Sequence, residues 1–418
     1  MGWLVPFPEL TDAQRRAVLL SPELHRVFAG PPGSGKTMVL LHRAANLRDA
    51  FGIDPARLQV FVFTNTLKRY IHSELGLLGL PGSCVSTFDG WCLRFFHAVV
   101  HGQVPMKDGE TDYPRLRAKT AAWLREHPLR HKPFDAVLVD EGQDLDGSTF
   151  EILRHVASHV TVCTDSRQQL YDTGSSEAEI AGWLGLGQRN VSFLDAFRCV
   201  PLVSRLASLY IGEPEERERF LRLVRVEQGE RELPLLFVAR SGMEERARLV
   251  QVLRTRLARG ERVAILVPSK RMMGRIQRAC TEAGLTLETS RHLNFNGLVP
   301  KLLTYHGGKG LVFDSVLLPG IEQGAFRHGD ASAWLRLLFV GITRARRWVY
   351  LSTQSASTDV YAPLRRLLGP EATGCCEVKW GVDGQVQTGL FEPVSAPPRP
   401  EGHVDLPHSP DDDLTNLL

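Results

Sequence analysis

The run Gly30-Pro31-Pro32-Gly33-Ser34-Gly35-Lys36-Thr37 constrains this chain more than any other stretch. Three glycines and two prolines within six residues cannot continue a helix or a strand, so the chain must turn there. The apolar HRVFA precedes the turn, and MVLLHRAANL, helical in pattern, follows it. Strand, turn and helix in that order, with G-x-x-x-x-G-K-[ST] matched at every position, form the setting of a phosphate-binding loop. Backbone N–H groups then face an anion, the helix start adds partial positive charge, Lys36 reaches the terminal phosphates and Thr37 can coordinate Mg²⁺. Gly30, Gly33, Ser34, Gly35, Lys36 and Thr37 are therefore candidate nucleotide ligands. Such a loop specifies a ligand class and leaves the reaction open.

The rest of the chain supplies a matching architecture. Short β-branched runs (QVFVFT, DAVLVD, VTVCTD, VSFL) alternate with helix-compatible segments, the signature of a parallel sheet covered on both faces. The pattern restarts after about residue 230 with LPLLFVA, a helix over GMEERARLVQVLRTRLARG, RVAILVP, a helix near Met272 to Ala283, SVLLPG and WVYLST. A length of 418 residues suits two or three domains. The expected organisation is α/β: residues 1–195 and 196–380 as two doubly wound parallel-sheet domains, with a short helical insertion near 93–134. Residues 381–418 read as a Pro-rich, disordered tail. The charge-dense residues 212–232 read as a solvated helix face.

Several classes are excluded or made remote. No run of 18 apolar residues is present to cross a bilayer, and the N-terminus MGWLVPFPELTD lacks the marks of a signal peptide or acylation site. A cytoplasmic location without membrane contact is expected. Seven scattered cysteines lack zinc-site spacing, so free thiols and no structural metal are expected. With a net charge of only +3, any polyanion must be met by a local surface.

The run AVLVDEGQD places Asp140 and Glu141 at the carboxyl end of a buried strand, the edge where ligands sit in open α/β sheets. Asp140 is placed to hold Mg²⁺, and Glu141 to orient and deprotonate an attacking water. With a phosphate loop about one hundred residues upstream, the pair points to nucleoside-triphosphate hydrolysis.

From about residue 10 to residue 353 the order of motifs resembles the superfamily 1 helicases of the UvrD/Rep type. LTDAQRRAV is similar to the family's adenine-reading motif, which makes Gln14 a base contact through its amide. VFTNTLKRYI and VSTFDGWC resemble two strand-contact motifs, VDEGQD the family's DEAQD, and TDSRQQLYD its GDxxQSIY, with Gln168 as the sensor between nucleotide and DNA. FLDAFRCVPLV resembles NYRS and offers Arg198 to the γ-phosphate and Phe197 to adenine. TYHGGKGLVFD, with Gly310 beside the nucleotide, and LLFVGITRARRWVYLS, with Arg344 as a second γ-phosphate arginine, complete the set.

The resemblance implies two RecA-like domains with ATP and Mg²⁺ at their interface, closing on each other as hydrolysis proceeds, and 3′ to 5′ movement on single-stranded DNA or a partial duplex. It also implies a bacterial-type, nucleoid-associated location. Phe63, Asn65, Thr87, Phe88 and His306 match its strand-contacting positions; by their own pattern Phe63 and Phe88 could equally be core residues. Several positions depart from the family: Met38 follows the GKT where many relatives have arginine, Asp89 stands for histidine, Phe197 for tyrosine and Val312 for the glutamate of GLEF, and no aromatic follows Tyr171 where relatives often place tryptophan.

The large accessory insertions of relatives are reduced here to a stub bearing Arg115, Arg117, Lys119, Arg125, Arg130 and Lys132, either a solvated helix or a nucleic-acid contact. Unwinding is therefore expected to be weak, or to need a protein partner in place of the accessory domain. In the tail, Gln387, Leu390 and Phe391 resemble a sliding-clamp docking peptide, with a final strand or a chance match as the other readings. A nucleic-acid-activated ATPase switch without sustained unwinding is the alternative function.

Overall fold

The computed structural model describes residues 4–168, 174–187, 191–194, 201–223, 232–289, 293–295, 297–321, 331–354 and 362–381. In chain order its first strands are β1 (Arg26–Ala29), β2 (Leu58–Val62), β3 (Val85–Thr87), the hairpin pair β4 (Met106–Lys107) and β5 (Glu110–Thr111), β6 (Phe134–Val139), β7 (Ala157–Thr164) and β8 (Val191–Phe193). All but the hairpin form one parallel sheet in the order β3-β2-β6-β7-β1-β8.

A second sheet contains β9 (Leu235–Ala239), β10 (Val263–Val267), β11 (Glu288–Thr289), β12 (Lys301–Thr304), β13 (Phe313–Leu318), β14 (Ala345–Gln354) and β15 (Glu377–Trp380). Its order is β11-β12-β10-β13-β14-β9-β15, again parallel throughout. All five residues of β10 are apolar and buried, and all five of β2 are buried as well, Gln59 donating to the Cys84 carbonyl, as strands covered on both faces require.

Three apolar cores follow from this layering. One packs helices Phe88–Phe95, Tyr113–Glu126 and Gly147–Val156 on the first sheet, and one packs helices Gly242–Ala258 and Lys270–Glu282 on the second. The third runs through both halves, joining Val60, Val62 and Leu138 of the first sheet to Leu266, Val316 and Leu351 of the second. The sheets therefore meet across a continuous seam. No described helix is long and apolar enough to cross a membrane. The six described cysteines are free thiols.

The insertion stub contains helix Tyr113–Glu126, and most of its cations are committed. Arg117 bridges Asp89 (2.6 Å) and Asp146 (2.9 Å), so the acid at the family's histidine position has a partner on the stub. Arg125 pairs with Glu151 at 2.7 Å and Lys132 donates to the Ala157 carbonyl at 2.9 Å, whereas Arg115, Lys119 and Arg130 are exposed. The tail residues Gln387, Leu390 and Phe391 lie outside the described residues, as do Phe197 and Arg198.

Candidate nucleotide site at the seam

The phosphate loop lies between β1 and helix Lys36–Phe51, at the carboxyl edge of the first sheet. Gly33 and Gly35 have φ of 81° and 79°, a backbone region that costs other residues strain. A side chain on Gly35 would also meet Gln14 Nε2 at 2.7 Å. The helix closes at Gly52, whose N–H caps the Arg48 carbonyl. The Lys36 ammonium donates back to the Gly30 and Pro31 carbonyls (2.7 and 3.2 Å) and lies 3.8 Å from Asp165. Ser34 Oγ and Thr164 Oγ1, both fully buried beside the loop, have no hydrogen-bond partner among the described residues. Orphaned buried hydroxyls next to a cation and a turn of backbone donors fit a bound polyphosphate.

Asp140 and Glu141 follow β6. Thr37 Oγ1 donates to Asp140 Oδ2 at 2.6 Å, bringing the two expected Mg²⁺ ligands together across 103 positions of sequence. Burial, then the adjacent Glu141, pushes the Asp140 carboxyl up to about 6. Burial would raise Glu141 as well, but Lys309, Lys36 and Arg344 outweigh it and hold that carboxyl below its ordinary range. Glu141 itself sits at φ 56°, a left-handed conformation that costs a non-glycine residue about 1–3 kcal/mol. Gln143 fixes it: its Nε2 donates to Glu141 Oε2 (2.6 Å), while its Oε1 accepts from the Asp165 N–H (3.0 Å).

The second sheet contributes two cations to this first-sheet network. Lys309, in the loop between β12 and β13, is 1% exposed; its ammonium pairs with Asp144, donates to the Gln168 carbonyl at 2.7 Å and lies 3.7 Å from Glu141. Arg344, just before β14, donates to Gln168 Oε1 at 2.5 Å. Gln168 also donates to Asp165 Oδ2 at 2.7 Å, so one buried amide joins the Arg344 guanidinium to the acid beside Lys36. Lys309, Asp144, Gln143 and Asp165 carry no local mark of these roles in the sequence, although each lies inside one of the motifs. The available signal was a lysine within TYHGGKGLVFD and a third acid in VDEGQD.

The remaining expected residues divide. Gln14 lies against the loop, but its Oε1 accepts from the Thr11 N–H in a capping box and its Nε2 donates to the Ser34 carbonyl, so the expected acceptor toward a base is already engaged. Gly310, at φ 78°, lies where a side chain would strike Leu67 of helix Asn65–His72, a close approach between the halves. Phe63 is half-buried with the Lys309 ammonium 5.5 Å from its ring centre, Asn65 is exposed, and Thr87 caps helix Phe88–Phe95 by accepting from Gly90. His306 is half-buried after β12, and burial, then Lys309, lowers it to about 4.

Phe88 is a correction. At 3% exposed, it packs edge-on against Phe61 with centroids 5.3 Å apart, so its ring belongs to the core and offers no face to a base. Buried Met38, at the family's arginine position, packs over Gly35.

Comparison with known proteins adds three findings. Residues 10–107 match the family described as the UvrD/REP helicase N-terminal domain, and residues 226–356 the UvrD-like helicase C-terminal domain. A 64-residue stretch is 39% identical to the ATP-dependent DNA helicase PcrA of Bacillus subtilis (strain 168), spanning 14% of this chain and only 9% of that protein. The crystal structure of the C-terminal domain of a possible DNA helicase from Lactobacillus plantarum WCFS1 superposes with a TM-score of 0.33 at 14% identity, covering 44% of this chain and 98% of that domain. That last likeness is too slight to bear on this chain.

Proposed function

Because this chain belongs to the UvrD/Rep-like helicase family, we propose that it hydrolyses ATP at the seam between its sheets to drive 3′ to 5′ movement along single-stranded DNA. The observation that carries this reading is the reach of Lys309 and Arg344 across the seam to Glu141, Asp144 and Gln168.

The phosphate loop, Ser34 and Lys36 would bind the triphosphate, Lys36 exchanging its own loop carbonyls for phosphate oxygens. Thr37 and Asp140 would hold Mg²⁺, whose chemistry is to neutralise charge on the phosphates. Glu141, kept ionised by its surrounding cations, would orient the attacking water and accept its proton. Arg344 and Arg198 would stabilise the charge that develops on the transferring phosphate, and an arginine supplied in this way is worth about 10³–10⁵ in rate. Because Arg344 comes from the second sheet, its geometry toward Glu141 depends on how the seam is closed, which ties turnover to domain position. Phe63, Asn65, Thr87 and His306 would grip the strand by stacking and phosphate contacts tolerant of sequence.

The test is ATP turnover with and without single-stranded DNA, duplex DNA and RNA, combined with displacement of a protein bound at one end of a single strand. Strand-stimulated turnover with one-directional displacement is expected. Stimulated turnover without displacement would replace the motor with a switch, and no turnover under any condition would remove both readings. Long-duplex unwinding by the isolated chain is expected to be weak, since the stub's anchored cations Arg117, Arg125 and Lys132 are taken by partners within the fold.

A further inference from the structure

Helices Gly242–Ala258 and Lys270–Glu282 form the outer layer of the second sheet, packed on a core that contains no first-sheet residue. Ile276 and Cys280 turn inward, whereas Lys270, Arg271, Arg275 and Arg278 are exposed. Arg271, Arg275 and Arg278 follow at steps of four and three residues, so they share one stripe of the helix. Arg254 of the neighbouring helix continues the stripe, since its guanidinium donates to the Ala283 carbonyl just past the end of Lys270–Glu282.

From Arg271 to residue 283 the line covers about 18 Å at 1.5 Å per residue, the length of about five base-pair steps. None of these cations forms an ion pair with a described residue. The single acid of helix Lys270–Glu282 is its last residue, and in the other helix Glu244 accepts from the Arg240 N–H while Glu245 accepts from the Gly320 N–H and from the Ser352 and Gln354 side chains. The contrast with the stub helix, whose Arg117 is locked between two aspartates, is direct.

We propose that this stripe is a second nucleic-acid site that holds the phosphate backbone of duplex DNA, separate from the strand path at the seam. Charge complementarity selects a polyanion. Neither helix contains an aromatic residue, and a single strand held without sequence preference needs aromatic faces on which bases stack. A line of arginines with no acidic partner among the described residues, and without such faces, suits a helical backbone whose bases are already stacked on each other. The site would anchor the duplex ahead of or behind the strand, a task that needs no ATP, so it goes beyond the function proposed above and does not depend on it.

The test uses the full chain, a blunt DNA hairpin and an oligo-dT strand, without nucleotide. The triple variant Arg271→Ala, Arg275→Ala, Arg278→Ala should bind the hairpin at least tenfold more weakly at low salt, with the slope of log K against log salt reduced by about 2–3, near 0.9 for each lost phosphate contact. The lysine triple variant should restore the slope, and thermal melting of all three proteins checks the fold. A slope equal to wild type in the alanine variant overturns the proposal and leaves the stripe to an acidic protein surface. Equal loss in the alanine and lysine variants also overturns it, because charge would not be the cause. Absence of ATP turnover in the wild type would end the motor reading without touching this measurement.

Discussion

The two sides of the seam satisfy their polar groups differently. On the first-sheet side, partners are local to one half of the molecule: Thr37 holds Asp140, Gln143 holds Glu141, and Gln14 ties the phosphate loop to the preceding helix. On the second-sheet side, the Lys309 ammonium finds its partners in Asp144, Glu141 and the Gln168 carbonyl, all across the seam. Arg344 donates to the Val340 carbonyl and Thr343 Oγ1 nearby and to Gln168 opposite. One side closes its polar network within its own half. The other completes itself only against its neighbour, so the surroundings of the Glu141 carboxylate depend on the position of the second half.

Removing the bridging cation should lower stability and turnover together. Lys309→Met leaves the buried Asp144 and Glu141 carboxylates without their shared cation, and breaking a buried pair in this way costs about 3–5 kcal/mol. A marked fall in melting temperature with at least a hundredfold loss of turnover is expected, read by calorimetry and a phosphate-release assay. Unchanged melting would show that the seam does not need this cation.

A second pair of variants separates surface from core along the same edge. Phe88→Ala should destabilise the fold by about 3–5 kcal/mol, as truncation of a buried aromatic does. Phe63→Ala should leave melting nearly intact and weaken single-strand binding by about 1–3 kcal/mol, the worth of one stacked base. Equal effects on stability would place both rings in the core.

A pH-dependent effect belongs to the buried support of the first sheet. His159 lies beside Arg43, and burial first, then that guanidinium, lowers it to about 3. The folded chain refuses a proton that the unfolded chain accepts below about 6.5, so stability is full above that pH and declines as pH falls toward 3. Melting followed from pH 7 to pH 4 should show the decline, and His159→Asn should flatten it. An unchanged slope in that variant would assign the decline to other groups.

What the sequence made legible follows from range. The phosphate loop was readable because its glycines, lysine and threonine act within eight consecutive residues. The strands were readable because parallel strands buried on both faces, such as QVFVF and VAILV, need no knowledge of their neighbours. Phe88 was not readable, since a phenylalanine after a strand is the same letter whether it faces a base or Phe61. Lys309 was hidden for the same reason: its role depends on Asp144, 165 positions earlier, and no local pattern carries that distance. The arginine stripe is not legible in the sequence because exposed cations on a helix become informative only once their partners are known.

The most direct measurement of a nucleotide site shared between the two sheets is strand-stimulated ATP turnover of Arg344→Ala, with kcat and KM determined separately. A fall in kcat of about 10³–10⁵ with KM nearly unchanged is expected for a residue that acts only once the seam is shut. A kcat within a few-fold of the unsubstituted chain would contradict it.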